Sequence, residues 1–188
     1  MVGYNHEHNI HKQYNEGIAV LIGDALLTKA FEILASVKGD YVRALVSALG
    51  KAAGSIGMIG GQSLDIGFEG PVDSVERLTQ LHKRKTGALI EVSLTMAAIL
   101  GKAEPNERDA LQRFGAHIGL AFQLADDILD AEEDAEEDGP PSFVKLLGEN
   151  ETRTAAAHAM LEARSAIESL KNPTALTSLA EFTVKRKH

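Results

Sequence analysis

Phe122-Gln123-Leu124-Ala125-Asp126-Asp127-Ile128-Leu129-Asp130 sets three carboxylates inside an otherwise apolar stretch. At 3.6 residues per turn, Asp126 and Asp130 stack on one helix face, with Asp127 at its edge. Gln123 sits one turn before Asp126 on the same side. Three uncompensated carboxylates on an apolar helix are costly unless a cation joins them. Mg²⁺ fits that role, because it takes carboxylate and phosphate oxygens together. The alternative is a solvated acidic face that runs on into Glu132 to Asp138, a block of charge more in keeping with solvent than with a site.

Working outward, the same helix extends back through Ile118 and Phe114 to about Glu107, and Gly139-Pro140-Pro141 ends it. Upstream, Ile18 to Leu34 reads as a first helix, closed by Gly39-Asp40. Asp40 caps a second helix running to Asp65, which contains Gly50, Gly54, Gly57, Gly60 and Gly61. So many interior glycines, each costing up to about 1 kcal/mol against alanine, point to very close helix contact or a kink. Gly67 to Pro71 is a turn, and a third helix runs from Ser74 to Leu100. Two more are expected downstream, Glu151 to Leu170 and Thr174 to Lys187, parted by Asn172-Pro173. The expectation is an all-α bundle of about six helices in one domain, residues 1–188.

Bulk properties narrow the function. The formal net charge is −8 with no long basic run, which excludes a nucleic-acid partner. No cysteine is present, so disulfides, thiol nucleophiles and zinc-thiolate sites are ruled out. Met1 to Asn15 is polar and histidine-rich, without a signal-peptide core. The longest apolar run, Gly87 to Gly101, carries Glu91 and is too short for a membrane span. These features predict a soluble, cytoplasmic protein.

A second cluster, His82-Lys83-Arg84-Lys85-Thr86-Gly87, lies on the third helix. Lys85 and His82 share a face, and Thr86 adds a hydroxyl. Alone this is an exposed basic stretch; set opposite the aspartates, it becomes a cradle for a diphosphate bridged to them by Mg²⁺. Gly61-Gln62 and Asp65 close the second helix, and by themselves suggest only packing and a cap.

His11-Lys12, Gly23-Asp24-Ala25-Leu26-Leu27, Gly60-Gly61-Gln62-Ser63-Leu64-Asp65, His82 to Gly87 and Phe122 to Asp130 occur in order, at spacings that resemble the trans-isoprenyl diphosphate synthases. The farnesyl and geranylgeranyl branch is the most similar. The resemblance implies the isoprenoid-synthase helical fold, in which two aspartate-rich motifs face each other across a deep cavity. Mg²⁺ ions there hold the diphosphate of an allylic substrate. Ionisation gives an allylic cation that isopentenyl diphosphate attacks, and a proton is then lost. The resemblance makes Asp126 and Asp127 ligands of one Mg²⁺, with Asp130 in support. It places Lys85, Thr86 and Gln123 at the allylic diphosphate and the reacting carbons, and lines the cavity with Gln62 and Asp65. It also implies a homodimer packed through the helices Ile18–Leu34 and Asp40–Asp65.

Two departures from the family pattern shape the functional expectation. The first motif should end just before His11-Lys12, but its arginines fall on Tyr4 and Asn5, its glycine on His6 and its last aspartate on Met1. After the second motif, the lysine of the K-x-T-Y stretch falls on Pro140, leaving Pro141-Ser142-Phe143. The sequence therefore predicts a synthase-derived protein that keeps a half-site for a diphosphate or polyphosphate. His6, His8, His11, Lys12, His82, Lys83, Arg84 and Lys85 would form its basic mouth; the alternative for the N-terminal histidines is a mobile tail. Alternatives are a subunit whose partner supplies the first motif, and an active short-chain synthase; Met1 with the changed Tyr4 and Asn5 speaks against a simple fragment of one.

Overall fold

A computed structural model describes residues 10–133 and 139–185. Among these residues there is no strand. Those up to Val46 form one compact unit and those from Ser47 another. Met1 to Asn9, with His6, His8 and the positions matched to the first motif, lies outside the described residues, as does the end of the acidic run.

In the N-terminal unit, α1 (Ile10–Gln13) leads into α2 (Glu16–Ala35). Asn15 starts α2 by accepting the Ile18 N–H on its side chain at 2.9 Å. No residue of α2 is buried, and Val20, Leu21, Leu26 and Ile33 are each more than half exposed.

The expected second helix is two: α3 (Val42–Ala53) and α4 (Met58–Asp65). The break falls at the glycines. A side chain on Gly57 would collide with the Ala52 carbonyl, and one on Gly60 with that of Ser55. By length and composition alone, Val42–Asp65 could cross a membrane, the one such stretch among the described residues. The turn at residues 54–57 divides it into helices of 12 and 8 residues. Each is shorter than the roughly 20 residues that a spanning helix needs.

The third helix is also interrupted. Ser74 caps α5 (Val75–His82), accepting the Arg77 N–H at 3.3 Å. Residues Lys83–Gly87 then form a π-helical turn before α6 (Ala88–Leu100). The long α7 (Pro105–Glu133) carries the aspartates. It is followed by a short helix that the sequence reading did not foresee, α8 (Phe143–Leu147), then α9 (Glu149–Ile167) and α10 (Thr174–Lys185). The six expected helices are thus present, two of them divided and two short ones added.

The core of the larger unit lies where α7 packs along α9, with α6, α8 and α10 around it. Phe114, Ile118, Ala121, Leu124 and Ile128 face Ala156, Ala159, Ala163, Ala166 and Ile167. Alanines along α9 let the two helices approach closely, so small side chains stand in for the scarce aromatics. Gly115 does the same between α7 and α6, and Gly119 between α7 and the end of the π-helical turn. A methyl at Gly115 would lie 3.2 Å from the Glu91 Cα, and one at Gly119 would lie 3.3 Å from the Gly87 Cα.

Candidate functional site

The π-helical turn controls where the basic cluster points. Its one extra residue per turn rotates Lys83, Arg84, Lys85 and Thr86 relative to a regular helix, and such turns recur at functional sites. α4 packs directly against it. The contact is backbone on backbone at Gly61, where a Cβ would sit 2.6 Å from the Lys85 Cα. Only glycine allows that approach.

Because α4 and the turn touch, Lys85 reaches Asp65. Its Nζ lies 2.6 Å from Asp65 Oδ2, with both side chains about a third exposed. Gln62 Nε2 donates to the same carboxylate oxygen at 3.4 Å. Lys83 and Arg84 take a different direction: with Gln80, Ala88, Glu91 and Ile56 they line a separate recess of about 310 Å³. Burial raises the Glu91 carboxyl above its usual range, and the Lys83 charge opposes this. The basic stretch is therefore split, with Lys85 on the α4 side and Lys83 and Arg84 on the Glu91 side.

His82 does not act as a cation. Both ring nitrogens are shielded from solvent and lack a hydrogen-bond partner of good geometry. The ring packs against Phe143, with centroids 5.5 Å apart. Burial, and next the Lys85 charge, push its imidazole down to about 4; Asp65 and the nearby Gln123 carboxamide oppose this. At neutral pH it is an uncharged packing group.

The three aspartates of α7 occupy different settings. Asp126 is half-buried, and Gln123 Nε2 donates to its Oδ2 at 3.3 Å. Asp130 is exposed. Asp127 is buried, and its Oδ2 accepts the Phe143 backbone N–H at 2.6 Å. Burial pushes its carboxyl up to about 6, against the effect of that hydrogen bond and with some help from the Asp130 charge.

The structure thus brings Gln62, Asp65, His82, Lys85, Gln123, Asp126, Asp127 and Phe143 into one linked cluster on α4, the π-helical turn, α7 and α8. Phe143 is the member that sequence reasoning missed. Its aromatic character in the K-x-T-Y slot was the available signal, but that slot pointed to a lost lysine instead. Thr86 is half-buried within the π-helical turn. His11 and Lys12 belong to α1 in the N-terminal unit, where both are exposed. A recess of about 790 Å³ opens elsewhere, between α7 and α9, with His117 and His158 in its lining. It shares none of the cluster's residues.

Among the described residues, no group of three His, Asp or Glu side chains forms a ready metal cage. That is no obstacle to Mg²⁺ at a phosphate, which takes only one or two protein carboxylates and completes its shell with phosphate oxygens and water. Asp126 and Asp130, one helical turn apart on the same face, fit that demand.

The family model for polyprenyl synthetases matches residues 7–180. The chain belongs to the polyprenyl synthetase family. The farnesyl diphosphate synthase of Geobacillus stearothermophilus is 38% identical over 136 residues, covering 70% of this chain and 46% of that protein. The crystal structure of an FPP/GFPP synthase from Zymomonas mobilis superposes with a TM-score of 0.81 at 37% identity. That match covers 93% of this chain and 63% of the other. A geranyltransferase from Helicobacter pylori, solved with magnesium and isoprenyl diphosphate, gives a TM-score of 0.77 at 36% identity, over 94% of this chain and 62% of that one. This polyprenyl synthetase chain therefore spans between about half and just under two-thirds of these relatives' lengths. The all-α fold read from the sequence is that of the family.

Proposed function

We propose that this 188-residue polyprenyl synthetase chain carries the diphosphate-binding half of an isoprenyl diphosphate synthase site, with little or no prenyl transfer of its own. One observation supports this reading above the rest. The π-helical turn holds Lys85 at Asp65, while His82 in the preceding turn abuts Gln123 and so leads to Asp126. A cation, amide donors and a metal-binding carboxylate thus surround one linked cluster.

Asp126 and Asp130 would hold Mg²⁺, which when bound neutralises charge on the diphosphate. Lys85 supplies a mobile point charge that can exchange Asp65 for a phosphate oxygen. Gln123 Nε2 and the Thr86 hydroxyl are the neutral donors beside it. His82, uncharged, shapes the wall without adding to the positive field. Lys83 and Arg84 contribute to the field at longer range, and Gln62 fixes Asp65. Departure of a diphosphate carrying about three negative charges needs several kcal/mol of stabilisation per metal ion. Each 1.36 kcal/mol is about tenfold in rate, and Tyr4 and Asn5 stand where the family pattern sets two arginines, so ionisation by this chain is slow.

Calorimetry with geranyl, isopentenyl and inorganic diphosphate, with and without Mg²⁺, tests binding. A turnover assay with isopentenyl plus dimethylallyl or geranyl diphosphate tests catalysis. Mg²⁺-dependent binding with negligible turnover is the expected result. Silence from every anion, inositol phosphates included, overturns the site. Robust turnover that disappears in Asp126→Ala overturns the half-site.

A second reading is favoured by α2, where Val20, Leu21, Leu26 and Ile33 stand exposed on a helix with no buried residue. Exposed apolar surface of this kind marks an interface. A homodimer is the proposed occupant, with a prenyltransferase subunit bearing a first aspartate motif as the alternative. Both would be cytoplasmic. Mass measurement in solution, and recovery of prenyl transfer on adding such a subunit, distinguish the two.

A further inference from the structure

Asp127 reads in the sequence as a twin of Asp126. Its surroundings are different. One residue further along α7, it is turned about 100° away from Asp126. It is 9% exposed, in contrast to the exposed Asp130. Its Oδ2 is committed to the N–H of Phe143, 16 residues ahead in the chain and the first residue of α8.

The segment that this bond fixes is itself tightly built. Ser142 Oγ accepts the Lys145 N–H at 3.2 Å, and Lys145 Nζ donates to the Gly139 carbonyl at 2.7 Å. The Phe143 side chain is 1% exposed and lies against the His82 ring. His82 in turn immediately precedes the π-helical turn that bears Lys85. A single carboxylate therefore ties the returning chain to α7 and, through Phe143 and His82, supports the wall from which Lys85 projects. With Oδ2 engaged at 2.6 Å by a buried amide and the whole residue 9% exposed, the Asp127 carboxylate is directed into the α8 junction and away from the open face that bears Asp126 and Asp130.

We infer that Asp127 is a positioning residue, anchoring the 139–143 segment beside the second aspartate motif through the Phe143 amide, and is not a ligand of Mg²⁺. The inference rests on the proposed Mg²⁺-diphosphate site at Asp126 and Asp130.

Asn and Ala separate the two roles. Asparagine keeps an oxygen that accepts the Phe143 N–H but is a poor magnesium ligand; alanine removes both functions. Mg²⁺-dependent affinity for inorganic diphosphate is measured by calorimetry in wild type, Asp126→Asn, Asp127→Asn and Asp127→Ala. Hydrogen exchange at the Phe143 amide is followed in each. Asp126→Asn is expected to lose at least about tenfold in affinity, and Asp127→Ala a similar factor through lost positioning. Asp127→Asn should retain both wild-type affinity and Phe143 protection. An Asp127→Asn affinity as poor as that of Asp126→Asn overturns the inference. So does a Phe143 amide that stays protected in Asp127→Ala. If Asp127→Ala does not fold, the Asp127→Asn comparison still decides. A wild-type chain that binds no Mg²⁺-diphosphate defeats the site instead, and the exchange data then judge the anchor alone.

Discussion

Replacing Gly61 with alanine tests the contact on which the candidate site is built. The new methyl would lie 2.6 Å from the Lys85 Cα and 2.8 Å from the Arg84 carbonyl carbon. Carbon atoms rest at about 3.5–4.0 Å, so α4 and the π-helical turn must part by roughly 1 Å. Every atom in the way is backbone, and no side-chain rotation relieves the clash. Overpacking of this kind costs about 1–3 kcal/mol, and the better helix propensity of alanine returns at most about 1 kcal/mol. The Lys85–Asp65 pair, spanning the same gap at 2.6 Å, would be stretched and Lys85 displaced. Urea denaturation should show a net loss of about 1–2 kcal/mol, with Mg²⁺-dependent diphosphate affinity falling at least about tenfold. Gly50→Ala is the control, because a methyl there meets nothing within 4 Å. It should gain about 0.5–1 kcal/mol on helix propensity alone. A Gly61→Ala protein as stable as Gly50→Ala, with unchanged affinity, would refute the argument.

Lys85→Gln should lower stability by less than about 1 kcal/mol, since its ion pair is a third exposed, yet it should weaken diphosphate binding at least about tenfold. Parallel denaturation and calorimetry would show the split. Phe114→Ala should destabilise by about 3–5 kcal/mol in the same denaturation assay, because the ring is 1% exposed at the centre of the α7–α9 core. His82 gives a signed pH dependence. Its imidazole is held down to about 4 in the fold, against 6.5 when free. Between those values the unfolded chain takes up a proton that the folded chain does not. The His82 contribution to stability therefore falls as pH drops from 6.5 to 4, by up to about 1.4 kcal/mol per unit. Asp127, raised to about 6, gives a slope of the opposite sign over most of the same window. In urea titrations run across the window, His82→Leu should gain stability relative to wild type as pH drops, and a difference between the two that stays constant with pH would refute this.

The helices of this chain are legible because apolar residues recur at helical spacing and glycine or proline marks each end. What periodicity does not reveal is where a helix changes its winding. Lys83 to Gly87 carries no signature of a π-helical turn; the turn is accommodated by Gly61, a residue on another helix. The glycines of residues 54–61 did predict a kink or a close contact, and the structure contains both. α8 was hidden because Pro140-Pro141 reads as a stop, while the cap that restarts the helix, Ser142, is one common residue. At the site, each partner of the Lys85–Asp65 pair was visible but the pairing was not, since 20 residues separate them. His82 was expected to contribute charge. Its neutrality comes from burial and next from the Lys85 charge; the burial, with Phe143 packed against the ring, is not exposed by a single sequence.

The doubled aspartate shows where reading by residue type runs short. Two neighbouring carboxylates on a helix point about 100° apart, so they face different surroundings unless a bound ion lies between them. On α7 the division is plain: the face of Asp126 and Asp130 is at least partly open to solvent, and the direction of Asp127 leads into the α8 junction. A buried carboxylate with a single amide partner is expensive, and burial has raised its pKa accordingly. A fold keeps such a group where its geometry is needed, and the geometry here is the return of the chain at Phe143. On the proposed assignment, the aspartate pair is thus divided between one residue that would meet the ligand and one that holds the wall in place. Exchanging the two functions would require turning α7 by a third of a revolution, which the packing of Phe114, Ile118 and Leu124 against α9 forbids.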